Sequence, residues 1–226
     1  MNLKMLAGSF IAAMSLSSAS HALLVSPENN GVNLANTILG SGISISNVAY
    51  TGAAGASGVF SGGAASGLDI DKGVVLSTGS AAGAVGTNNT SGYSQNLGAP
   101  GYAPLTALSG NQTYDATRLK FDFTFTGGLG GDLNFNFIFG SEEYLEYVGS
   151  QYNDVFAFYV DGVNVALTPV TASPITINTI NPSQNPSLYV NNSTGTYATQ
   201  MDGFTKAMQI SLKDLSSGAH TMEFAI

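Results

Sequence analysis

The stretch TRLKFDFTFTGGLGGDLNFNFIF, residues 117–139, decides what kind of fold this chain adopts. In its first half Leu119, Phe121, Phe123 and Phe125 alternate with Lys120, Asp122 and Thr124. In its second half Leu133, Phe135, Phe137 and Phe139 alternate with Asn134, Asn136 and Ile138. A period of two places successive side chains on opposite faces of an extended strand, so each half offers one aromatic face to a core. A helix would scatter the same residues around its circumference. Between the halves lies Gly127-Gly128-Leu129-Gly130-Gly131, backbone suited to a reversal. The natural connection is an antiparallel hairpin, which stacks both aromatic rows on one sheet face.

Outward from that centre, DVFAFYV (154–160) is apolar on both faces and predicts a central strand covered on both sides. Further strands are expected in GISISNVAY (42–50), GVVLSTG (73–79), NVALTPV (164–170), PITINTI (174–180), MQISL (208–212) and TMEFAI (221–226), punctuated by Pro, Gly and Asn. Residues 23–36 hold a short amphipathic piece and 51–67 read as a small-residue loop. The Gly/Ala/Asn/Ser-rich segment 80–110 is too long for a structureless connection, so it is expected to carry a weak strand or to be a functional surface loop. No fixed repeat period is present, which argues against a solenoid or propeller. The pattern predicts one all-β domain over residues 23–226, a two-sheet antiparallel sandwich of jelly-roll type with long Gly/Ser/Asn-rich loops.

Composition narrows the setting. The 28 glycines favour turns over helices, and a net charge of −8 excludes a protein that tracks nucleic-acid phosphates. Residues 1–22 read as a secretory signal peptide: Lys4 precedes an apolar run from Met5 to Leu16, and Ser20-His21-Ala22 ends it with small residues at the cleavage positions. No other segment is expected to span a membrane. With no cysteine, the exported chain is expected to rely on core packing, and on any bound metal, instead of disulfides.

Residues 139–162, FGSEEYLEYVGSQYNDVFAFYVDG, pose the functional question. Charged residues are 9% of the chain, yet Glu142, Glu143, Glu146 and Asp154 crowd together with no Lys or Arg among them. A helical turn capped by Ser141 would set Glu142 and Glu146 on one face, with Gly149 ending it. A chain reversal would then bring up Asp154 and the carbonyl of Asn153, completing the all-oxygen ligand set of a hard cation, Ca²⁺ foremost. The alternative is a solvated acidic loop whose charges water and backbone N–H groups accommodate. A third reading takes two of these carboxylates as a glycosidase pair with Tyr144, Tyr147 and Tyr152 as sugar platforms. Elsewhere signals are weaker. Asp69-Ile70-Asp71-Lys72-Gly73 starts like a calcium loop but lacks the distal Glu, so it reads as a turn before a strand. The Gly-rich stretches at 76–79 and 127–131 lack the Lys and helix of a phosphate loop. A serine triad would need His220, the sole histidine once the leader is removed, and no GxSxG elbow is present.

The order GVVLSTG, YDATRLKFDFTF, FNFIFGSEEYLEYVGSQYNDVFAFYVDG, NVALTPV with PITINTIN, and DGFT resembles the bacterial choice-of-anchor L domain, from about Asn33 to the end. Its SEEY and YNDVF blocks are the most specific. The resemblance implies a secreted or surface β-domain, without established catalysis, from proteins bearing alternative C-terminal sorting signals. Members of the family usually continue past the last strand into an Asp-rich segment. Since this chain stops at HTMEFAI, its domain is expected to be incomplete at that end. The expectation is therefore an exported, non-enzymatic module of the cell surface or matrix, adhesive or structural, with an extracellular polysaccharide or surface protein as partner and Ca²⁺ as its one candidate cofactor. The rival is a carbohydrate-active domain, catalytic or only sugar-binding.

Overall fold

A computed structural model describes residues 22–226; apart from Ala22, the expected leader lies outside them. The first part of the chain forms β1 (Leu24–Pro27), α1 (Gly31–Ile38), β2 (Ile43–Thr51), β3 (Ser57–Ser61), β4 (Gly73–Leu76) and α2 (Ala103–Ser109). The middle forms β5 (Arg118–Phe125), β6 (Gly131–Phe137), β7 (Gly140–Ser141), β8 (Val155–Val160), β9 (Val163–Asn164) and β10 (Ile175–Thr176). The last part adds β11 (Tyr189–Asn191), β12 (Gly203–Thr205), β13 (Met208–Leu215) and β14 (His220–Ala225).

The largest sheet runs β10-β8-β14-β5-β2, entirely antiparallel, with β9 as a short addition to β8. β5 and β6 do have the predicted alternation: Leu119, Phe121 and Phe123 are buried, while Lys120 on the other face is exposed. The expected hairpin between them does not form. Both edges of β5 are occupied, by β2 and β14, so β6 has no place beside it. The glycine linker instead carries the chain across to a second layer, where β6 pairs with β13 (Leu133↔Leu212, Phe135↔Ile210, Phe137↔Met208). At Gly130, φ is +71° and a Cβ would lie 2.2 Å from the Leu215 carbonyl oxygen, so this crossing needs a glycine.

The aromatic rows consequently face each other between layers. Phe135 meets Phe158 and Phe224 at ring-centroid distances of 5.0 and 4.9 Å, and Phe137 meets Phe156 at 4.9 Å. Phe158 and Phe224 stack at 4.5 Å within the large sheet. Phe135 itself remains half-buried, so the centre of the core is shared among Phe121, Phe123, Phe158 and Phe224. β8 is covered on both faces as its sequence predicts: Phe158 and Val160 join this main core, while Val155 and Ala157 pack with Leu105 of α2 and Ala225 in a smaller one.

The remaining strands form two further sheets, β1-β3-β4 and β11-β12-β7. The chain is thus mostly β with several antiparallel sheets, four among the described residues where two were expected. Three local expectations also change. β3 lies inside the stretch read as a loop, recruited because β1 and β4 pair with its two edges. The strands expected over 164–170 and 174–180 shrink to β9 and β10. There Pro169 and Pro174 withhold ladder donors, and hydroxyls of Thr168, Thr176 and Thr179 bind local backbone instead. Segment 80–110 carries α2 and a 3-10 turn at Ala81–Ala84 instead of a weak strand. Among the described residues, no helix is long and apolar enough to cross a membrane.

Candidate functional site

The acidic segment is placed by a short strand pair. β7 and β12 align Gly140 with Phe204 and Ser141 with Gly203. Continued one position, that antiparallel register sets Glu142 across from Asp202. Asp202 is 2% exposed. Its Oδ1 accepts a hydrogen bond from Asn88 Nδ2, and its carbonyl accepts from the Asn192 amide at 2.8 Å. Asn192, fully buried, donates its side-chain amide to the Thr199 and Met201 carbonyls, each at 2.9 Å, and so stitches the loop before β12. Asp202 Oδ2, both carboxylate oxygens of Glu142 and the amide oxygen of Gln200 are shielded from solvent and have no hydrogen-bond partner.

Burial and like charge act together on this group. Burial, and next the Asp202 carboxylate, push Glu142 up to about 7; Glu143 and Glu146 add to the effect, and the nearby Tyr93 backbone N–H offsets part of it. Burial raises Glu143 too, followed by the charges of Asp154, Glu146 and Asp202. Asp202 is raised by burial, eased by Asn88. The Tyr189 hydroxyl is pushed up to about 12 by burial, with Asp202 and Glu146 contributing.

The five residues proposed from sequence as metal ligands are dispersed. Ser141 lies on β7 and caps no helix: its hydroxyl donates to Asp154 Oδ2 at 2.7 Å and accepts from the Glu143 amide at 2.9 Å. The segment after it forms successive turns, closed at Gly149 with φ +82°, so the expected helical face joining Glu142 to Glu146 is absent. Strand pairing has claimed Ser141, and its hydroxyl, which was to cap the helix, is bonded to Asp154 instead. Glu143 and Asp154 flank Ser141, and Asp154 is raised by burial against the opposing pull of that hydroxyl. Glu146 is exposed. Asn153 uses both ends of its amide: Nδ2 donates to the Ser109 carbonyl at 2.9 Å and Oδ1 accepts from the Asn178 amide at 3.1 Å. Tyr144 is fully buried against Tyr189, while Tyr147 and Tyr152 meet edge to face at 5.0 Å on the surface. Among the described residues, no three His, Cys, Asp or Glu side chains gather into a metal shell. A cleft of about 1120 Å³ has Phe135, Phe137, Phe156 and Phe224 and also Ser141, Glu142, Glu143 and Asp154 among its lining residues.

Sequence reasoning missed Asp202, although it belongs to the DGFT motif. Sixty residues separate it from Glu142 (202 − 142), and only the β7–β12 pairing brings them together. It also missed the partners of His220. The Nδ1 of His220 lies 2.7 Å from Asp161 Oδ2, and its Nε2 lies 3.1 Å from both the hydroxyl and the carbonyl of Ser216. This Ser-His-Asp order ties the β13–β14 turn to the end of β8, away from the cleft. Asp71 accepts from the nearby Ala64 amide, and Asp69 accepts from the Ala207 amide, far away in sequence.

No curated protein and no solved structure is detectably similar to the chain. The family model for the Choice-of-anchor L domain, however, matches residues 25–226, which take in the β7–β12 pair, the acidic segment and every strand of the large sheet. The chain belongs to the choice-of-anchor L domain family.

Proposed function

We propose that the chain is an exported module of the bacterial surface or extracellular matrix that binds a partner or builds structure without catalysing a reaction. Family membership supports the surface setting. The observation that carries the non-catalytic reading is the disposition of the carboxylates. A glycosidase points two carboxyl groups at the scissile bond, one holding its proton at neutral pH. Burial and neighbouring charge push Glu142 up to about 7, in the direction such an acid requires, but both its oxygens are shielded from solvent, and Asp154 is engaged by Ser141.

A second reading is favoured by Tyr147 and Tyr152, whose exposed, edge-to-face rings form an aromatic patch suited to stacking on sugar rings. One experiment separates the classes. The purified protein, Glu142→Gln, Glu143→Gln and Tyr147→Ala are assayed for both hydrolysis and binding on a panel of polysaccharides. A non-catalytic module gives no turnover with any variant. Binding that Tyr147→Ala weakens identifies a sugar-binding surface, and turnover that Glu143→Gln abolishes while binding persists would overturn the proposal.

A further inference from the structure

Among the described residues, shielded carboxylate oxygens at the β7–β12 pair have no hydrogen-bond partner, as do the hydroxyls of Tyr144, Tyr159 and Tyr189. Two carboxylates opposed across strands repel, and withdrawal from water strengthens the repulsion. Natural structures answer such a pairing with a basic side chain, hydrogen-bond donors or a cation. The ion pairs of the described residues, Arg118–Glu223, Lys213–Asp132 and His220–Asp161, all lie elsewhere. Asn88 satisfies one oxygen of Asp202; the other, on a residue 2% exposed, has no partner, and the oxygens of Glu142 have only the nearby Tyr93 backbone N–H, which makes no well-formed hydrogen bond to them.

We propose that Ca²⁺ bridges Glu142 and Asp202 across the β7–β12 pair and staples the acidic loop to the loop preceding β12. Two carboxylates balance the charge of one divalent ion. Because no third acidic side chain joins them in a shell, neutral oxygens and water complete the coordination. Gln200, two residues before Asp202, brings a shielded amide oxygen that has no other partner. An all-oxygen, irregular set of this kind suits Ca²⁺, whereas Mg²⁺ demands a near-ideal octahedron and Zn²⁺ prefers nitrogen and sulfur. The site thus differs from the one expected from sequence: Asp202 enters, Asn153 and Asp154 are committed elsewhere, and Glu146 stays at the rim. The inference rests on the surface reading only for its supply of calcium, so failure of one is distinguishable from failure of the other.

The test uses the full purified chain stripped with EDTA. Addition of Ca²⁺ at a hundredfold excess over its Kd should raise the Tm by roughly 5–10 °C, and Tb³⁺ should show tyrosine-sensitised luminescence that Ca²⁺ competes away. Glu142→Gln and Asp202→Asn should each melt above the wild type in EDTA, since repulsion is relieved, and lose at least tenfold in Ca²⁺ affinity. Glu146→Gln should leave affinity within about twofold, as expected of a screened rim charge. A wild-type Tm that Ca²⁺ leaves unchanged but that rises on acidification would show a proton in place of the metal and overturn the proposal. Full Ca²⁺ response in both Glu142→Gln and Asp202→Asn would overturn it equally, by placing the ion elsewhere.

Discussion

His220 shows what a single residue contributes here. Its imidazole is raised above the ordinary 6.5 chiefly by the hydrogen bond to Asp161, with the Ser216 carbonyl helping and burial opposing. Burial also works against ionised Asp161, but the His220 ring and Thr221 amide outweigh it and hold its carboxyl below the ordinary 3.8. The signs are opposite. The His220 contribution is full below its unfolded value and is lost as pH rises through the elevated folded value. That of Asp161 is present above its unfolded value and is lost as pH falls through the depressed folded one. The pair therefore stabilises the β13–β14 turn most between about pH 4 and 6.5. Measured as Tm against pH, His220→Gln should remove the decline of the wild type between neutral and mildly alkaline pH. A profile identical to wild type there would show that the ring carries no proton in the fold.

At the scale of elements, the two layers meet through rings of unequal burial, and that difference sets the cost of truncation. Phe158 is wholly buried, stacked on Phe224 and touched by Phe135, so Phe158→Ala should cost about 3–5 kcal/mol in urea unfolding. Phe135 lines the cleft and is half-buried, so less packing is lost and Phe135→Ala should cost less, below about 3 kcal/mol. The reverse ranking would mean that the contact between β6 and the large sheet carries more of the core than the packing of the large sheet itself. The alternation in residues 117–139 identified both strands and their inward faces; it did not identify their partners. Pairing depends on which edges are free, and the edges of β5 are taken by segments 78 residues before (Ile45↔Phe123) and 101 residues after (Met222↔Phe121).

For the whole molecule, the expected cleavage site adjoins a buried residue. Leu23, the first residue after the expected cleavage site, buries its side chain at 4% exposure, and its amide donates to Ser66 Oγ at 2.6 Å. A chain cut after Ala22 would begin at a residue that is itself packed. Intact-mass measurement of protein recovered outside the cell should give a species starting at Leu23, and a chain still carrying Met1 there would contradict the signal-peptide reading. With no cysteine to brace it, the domain draws its cohesion from the aromatic core and from the loop stitching around Asn192 and Asn181.

Sequence by itself determined what is local: the β-rich class, the strands with strict alternation, the double-sided burial of β8, the cation-poor acidic segment and the family. The strands and the acidic segment each depend on a period or motif readable within some twenty residues, and the class and the family on composition and on the order of such motifs along the chain. Tertiary structure alone decided what depends on distant pairing. It divided the strands of the described residues among four sheets, turned the expected hairpin into a crossing between layers, and committed Asn153 to Ser109 and Asn178. It also set Glu142 against Asp202, because a two-residue strand at Gly140–Ser141 found its partner at Gly203–Thr205, and a pairing that short has no periodic signal.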